Sequence, residues 1–268
     1  MSADAAPSRK ERVLELLRAN RMQEAKILCE EVARNENNVG AWSLLGAIHG
    51  LLGDFREAEA YSRKAVDLRP DYPEAHCNLG VALRSQQRLD EAIRSLREAL
   101  RLKPDYPEAH YNLGMALAAT GQLEEASASF REAVRLRPNY GHVYFGLGNV
   151  HARQGRLSEA IDCYRIALQS NPNDAEILNN LGNALSDMGQ LDDAIAVYQR
   201  VIECRPQFTM VHYNLGNLYV EQGYFDKAAS CYHRTISLDP NCAEAYTNLG
   251  NVLMQLGDPQ QAIDHLRR

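Results

Sequence analysis

Five asparagines stand immediately before a Leu-Gly dipeptide, Asn78, Asn112, Asn180, Asn214 and Asn248, and four follow one, Asn149, Asn183, Asn217 and Asn251. An Asn amide carries an acceptor and two donors, so amides repeated along a surface match the backbone of an extended peptide whatever its side chains. Where both sets occur in one segment, as at Asn180 and Asn183, the two residues are three apart and share one helix face. Gly146 and Leu44 interrupt the first set. Each hydrogen bond nets about 0.5–1.5 kcal/mol while ordering a flexible peptide costs about 2–5 kcal/mol, so a row of amides needs anchors. Tyr111, Phe145 and Tyr213, directly before the first amide position, are the candidates.

Other chemistry is poorly supported. His76, His110 and His212 recur in one phase of the chain, and His49 and His151 in another, always where packing residues stand elsewhere. Ligands must converge, so a structural use is favoured over metal binding or base catalysis. Cys29, Cys77, Cys163, Cys204, Cys231 and Cys242 form no C-x-x-C pair and read as reduced thiols of a cytoplasmic protein. There is no G-x-S-x-G, H-E-x-x-H, P-loop or D-x-D-x-D-G motif. Gly146-Leu147-Gly148 opens like a dinucleotide fingerprint, but His151 stands where its third glycine belongs and no strand precedes it. No catalytic residue, metal site or cofactor is assigned, and the chain is not expected to be an enzyme.

The elements that carry the amides are set by a period. The Gly of Leu-Gly falls at 46, 80, 114, 148, 182, 216 and 250, each step being 34 residues, as 80 − 46. An alanine keeps the beat at Ala58, Ala92, Ala126, Ala160, Ala194, Ala228 and Ala262, and a proline from Pro70 to Pro240. Apolar residues at Ala75, Leu79, Ala82 and Leu83, then at Ala92, Leu96, Ala99 and Leu100, predict two short helices per unit. Between them Gly53, Gly121, Gly155, Gly189, Gly223 and Gly257 suit a left-handed helix end, a position where Gln87 alone departs. The Gly of Leu-Gly costs about 1 kcal/mol inside a helix, and close approach of the paired helix at the periodic Ala is the expected compensation.

Leu-Gly in the first helix, Ala opening the second, Leu96, Phe130, Tyr164, Tyr198, Tyr232 or Leu266 four residues later, and a closing Pro resemble the tetratricopeptide repeat family. The resemblance implies an all-α fold, a right-handed superhelical α-solenoid of helix-turn-helix repeats whose first helices line a concave groove. It places an N-terminal tail and degenerate repeat at 1–38, six regular repeats at 39–242 and an eighth, truncated repeat at 243–268. Polar Glu11 and Arg12 replace Leu-Gly in the first repeat and suit a solvent-facing cap. The last unit stops before any closing Pro, leaving Ile263 and Leu266 without a downstream neighbour and suggesting one arm of a longer protein.

The Asn row also resembles the peptide-binding arm of O-linked N-acetylglucosamine transferases and of related bacterial repeat-fused enzymes. That resemblance implies a protein- or peptide-binding scaffold, and the competing expectation is a scaffold that self-associates through its terminal repeats. The carboxylate clamp of co-chaperone repeats needs inner Lys or Arg, whereas comparable positions hold Glu74, Glu108, Glu176 and Glu244, first-turn acids that the helix dipole favours. A net charge of −6 and a sequence pI near 5.8 argue against nucleic acid. Arg94, Arg97 and Arg101, and Arg131, Arg135 and Arg137, are interleaved with acids and read as solvated faces. No apolar run approaches the ~18 residues of a membrane span.

Overall fold

The computed structural model describes residues 9–19, 21–36 and 38–266, which are helical apart from short turns. The chain divides into two compact units, Met1–Pro138 and Asn139–Arg268. The first is a series of helical hairpins: α1 (Arg9–Arg18) with α2 (Met22–Glu36), α3 (Val39–Leu52) with α4 (Phe55–Leu68), α5 (Pro73–Ser85) with α6 (Leu89–Leu102), and α7 (Pro107–Ala119) with α8 (Leu123–Leu136). The second repeats the plan with α9 (Gly141–Arg153) and α10 (Leu157–Ser170), α11 (Ala175–Asp187) and α12 (Leu191–Cys204), α13 (Thr209–Glu221) and α14 (Phe225–Leu238), and α15 (Ala243–Gln255) and α16 (Pro259–Leu266).

Local chemistry sets the helix ends. Pro73 and Pro107 open α5 and α7, where a missing N–H costs nothing, and the Asp174 carboxylate accepts from the backbone N–H groups of Glu176 and Ile177 to cap α11. The predicted hairpin glycines all have positive φ, from 73° at Gly155 to 84° at Gly53. Gln87 adopts the same left-handed turn at φ 62° despite its side chain.

The beat of small residues is the inner seam of each hairpin. Ala25, Ala58, Ala92, Ala126, Ala160, Ala194, Ala228 and Ala262 are fully buried. The expected reason for the Leu-Gly glycine needs correction: its main neighbour is the residue four beyond the alanine. A Cβ on Gly80 would stand 2.5 Å from Leu96, on Gly114 2.8 Å from Phe130, and on Gly182 2.4 Å from Tyr198. The large second-helix side chain lies flat on the first helix, and only glycine leaves room for it.

His76, His110 and His212 reach back six residues, their Nε2 atoms lying 2.8, 2.9 and 3.0 Å from the carbonyls of Pro70, Pro104 and Pro206. A carbonyl only accepts, so these rings donate and pin the turns between hairpins. Arg97 pairs with Glu125, Arg101 with Glu98 and Arg135 with Glu132, all on exposed surface as the charge pattern implied. In α1, Arg12 is exposed while Val13 and Leu16 are buried. Ile263 is 42% exposed, and the side chains of Glu11 and Leu266 lie outside the described residues.

Candidate functional site

In the second unit the two sets of asparagines bond to each other. Asn180 Nδ2 donates to Asn149 Oδ1 at 2.9 Å, Asn214 Nδ2 to Asn183 Oδ1 at 3.0 Å, and Asn248 Nδ2 to Asn217 Oδ1 at 3.1 Å. Each acceptor takes a second bond from its own hairpin, from Tyr164 Oη at 2.8 Å, Tyr198 Oη at 2.5 Å and Tyr232 Oη at 2.7 Å respectively. These are the tyrosines that lie on Gly148, Gly182 and Gly216. A ring that crosses the glycine delivers its hydroxyl to the next residue, and that residue is Asn.

Burial pushes the hydroxyls of Tyr164, Tyr198 and Tyr232 toward the neutral, donating form, Tyr232 to about 12. At Tyr198 the Asn214 amide opposes this shift and the negative charge of Asp187 adds to it. Both lone pairs of each acceptor are occupied, so these carbonyls have nothing left for a ligand. The Nδ2 groups of Asn149, Asn183 and Asn217 and the Oδ1 atoms of Asn214 and Asn248 make no bond among the described residues. Asn180 Oδ1 accepts from Asn179 Nδ2 at 3.4 Å.

The first unit does something else with the same residue type. Asn78 Nδ2 donates to the Ser43 carbonyl at 2.9 Å and to Ser43 Oγ at 3.1 Å, and Asn112 Nδ2 donates to the Glu108 carbonyl of its own helix at 2.8 Å. Ala47, Val81 and Met115 occupy the position after Leu-Gly there, so no amide is available across the repeat. Asn251 is exposed, and the residue fifteen after it in the sequence is Leu266, which has no hydroxyl to donate.

The three aromatic candidates are half-buried against the second-helix rings: Tyr111 on Phe130, Phe145 on Tyr164 and Tyr213 on Tyr232, with centroids 6.1, 6.2 and 6.0 Å apart. Tyr213 Oη also accepts from Asn248 Nδ2 at 3.2 Å. A cavity of about 560 Å³ opens in the second unit, with Asn217, Asn248 and Asn251 on one side and Val220, Phe225 and Val252 among its apolar walls. Sequence reasoning missed the hydroxyls of Tyr164, Tyr198 and Tyr232. The signal was present: Tyr occurs fifteen residues after Asn149, Asn183 and Asn217, and Leu96 and Phe130 stand fifteen after Val81 and Met115. Among the described residues no three or more His, Cys, Asp or Glu gather as metal ligands, and no helix is long and apolar enough to cross a membrane.

The repeat pattern has relatives. The family described as the cilia and flagella-associated protein 70 C-terminal domain, a tetratricopeptide repeat (TPR) domain, matches residues 5–222, and the TPR repeat pattern matches residues 216–257. The chain belongs to this TPR family. Among solved structures, YrrB, described as a TPR protein with an unusual peptide-binding site, is 25% identical with a TM-score of 0.62, covering 69% of this chain and 95% of its own. MamA 41-end from Desulfovibrio magneticus RS-1 is 25% identical with a TM-score of 0.61, covering 63% and 96%. The APC/C hetero-tetramer Cut9-Hcn1 includes a chain with a TM-score of 0.64 at 20% identity, covering 92% of this chain and 49% of its own, a likeness of fold alone. No curated protein sequence matches this TPR array. The TPR assignment accounts for the hairpins.

Proposed function

We propose that this TPR array is a scaffold that binds extended protein segments along the first helices of its second unit, through the amides of Asn149, Asn180, Asn183, Asn214, Asn217, Asn248 and Asn251. One observation carries the reading: after the ladder has formed, an unused N–H pair on Asn149, Asn183 and Asn217 alternates with an unused carbonyl on Asn214 and Asn248. Alternating donors and acceptors are what a peptide backbone presents, and the ladder holds them before any ligand arrives, which lowers the ordering cost of binding. The cavity beside Asn217 and Asn248 supplies apolar contact that the amides lack. The likeness to YrrB, a TPR protein with a peptide-binding site of its own, supports the same reading. Asn78 and Asn112, whose amides are bound to backbone carbonyls, have a minor part in it.

The test is fluorescence anisotropy of labelled unstructured peptides against the native chain and an Asn180→Ala/Asn214→Ala variant, with circular dichroism melts run alongside. Loss of two groups worth about 0.5–1.5 kcal/mol each predicts about a fivefold or greater weakening. Equal affinity in a variant that still shows a cooperative melt removes the amide reading.

A further inference from the structure

The faces of α11, α13 and α15 that carry the amides also carry acids. Glu176 and Glu244 precede Asn180 and Asn248 by four residues, and Asp187 and Glu221 follow Asn183 and Asn217 by four, so helix geometry puts each beside an amide. All four are exposed, and none has an ion-pair partner among the described residues. In the first unit the corresponding Glu74 and Glu108 are paired with Lys103 and Arg137. The dipole argument for first-turn glutamates therefore covers only part of the pattern: it does not reach Asp187 and Glu221, which stand at the C-terminal ends of α11 and α13 where a negative charge is unfavourable. No Lys or Arg occurs anywhere in α11, α13 or α15.

A second, independent feature lies on the same face. The cavity beside Asn217 and Asn248 is walled by Val220, Phe225 and Val252, and Glu221 stands one helical turn beyond the lining Asn217. An apolar recess next to a carboxylate fits a side chain with an aliphatic stem and a cationic head.

We propose that the face formed by α11, α13 and α15 selects extended segments that carry Lys or Arg, with the backbone on the amides and the cations toward Asp187 and Glu221. This rests on the amide-groove reading and adds the chemistry of the partner. Neighbouring packed helices stand about 8–10 Å apart, and a segment in the extended polyproline-II conformation advances about 3.1 Å per residue with three residues per turn, so cations three residues apart share one side and meet acids on successive helices.

The experiment uses three labelled peptides of equal length, built on Gly and Ser with Lys, Gln or Glu at every third position, titrated by anisotropy at low and high salt. The Lys peptide is expected to bind at least about tenfold tighter than the Gln peptide at low salt, with the advantage shrinking as salt screens it. Asp187→Asn/Glu221→Gln should abolish that advantage, while Asp162→Asn/Glu203→Gln, which removes exposed acids of α10 and α12, should leave it intact. Three peptides bound equally well would overturn the charge selection and leave the amide reading standing. Failure of every peptide to bind would overturn both. An advantage that survives Asp187→Asn/Glu221→Gln would assign it to the overall charge of −6 and overturn the proposal.

Discussion

The Oδ1 atom of Asn183 on α11 receives Tyr198 Oη from α12 at 2.5 Å and Asn214 Nδ2 from α13 at 3.0 Å, so one carbonyl joins three helices and two repeats. Tyr198→Phe keeps the ring on Gly182 and deletes one bond, and Asn214→Ala deletes the other. Each is expected to cost about 0.5–1.5 kcal/mol in urea unfolding. Because the two donors share an acceptor, the double variant should depart from additivity by about 0.5 kcal/mol or more. A strictly additive cycle would contradict the shared acceptor.

Two glycine substitutions should move stability in opposite directions. A Cβ on Gly182 meets Tyr198 at 2.4 Å, so Gly182→Ala is expected to destabilise by about 1–3 kcal/mol through overpacking. A Cβ on Gly50, in the last turn of α3, meets nothing within 4 Å, so Gly50→Ala gains helix propensity of up to about 1 kcal/mol. Thermal melts of the two variants check the signs.

Gln87 holds a left-handed conformation, φ 62°, where six other hairpins use glycine. Left-handed backbone costs a residue with a Cβ about 1–2 kcal/mol, partly offset by the greater freedom of glycine in the unfolded chain. Gln87→Gly is therefore expected to stabilise the first unit by about 1 kcal/mol. A lowered midpoint in denaturant would show that the Gln87 side chain contributes more than its backbone costs.

The buried tyrosines predict an alkaline limit. The folded pKa of Tyr232 is raised to about 12, above the ~10 of an unfolded tyrosine. Its burial therefore stabilises the fold fully below pH ~10, and this contribution is lost as pH rises through the folded value, because the unfolded chain ionises first. Melting temperature should fall across that window, with tyrosinate absorbance rising in step with unfolding. Tyr232→Phe should lessen the fall.

The hairpins were legible because glycine, alanine and proline kept one beat, and each proved to mark a backbone event: a close approach, a buried seam or a turn. The amide rows were legible as positions but not as partners. Asn149 and Asn180 are 31 residues apart, and nothing local in either predicts their bond. Reading down the repeats instead of along them would have shown Tyr164, Tyr198 and Tyr232 entering the chain together with Asn149, Asn183 and Asn217. The role of Asp187 and Glu221 was hidden for another reason. An acid at a helix end reads as ordinary surface until the absence of any cation on three successive first helices is placed beside it.

The three cross-repeat Asn–Asn bonds run the same way, from the Nδ2 of the later repeat to the Oδ1 of the earlier one, at Asn180, Asn214 and Asn248 alike. The row therefore has a head and a tail. A polypeptide backbone has them too, so a segment laid N-to-C along this face and the same segment reversed would not meet equivalent partners.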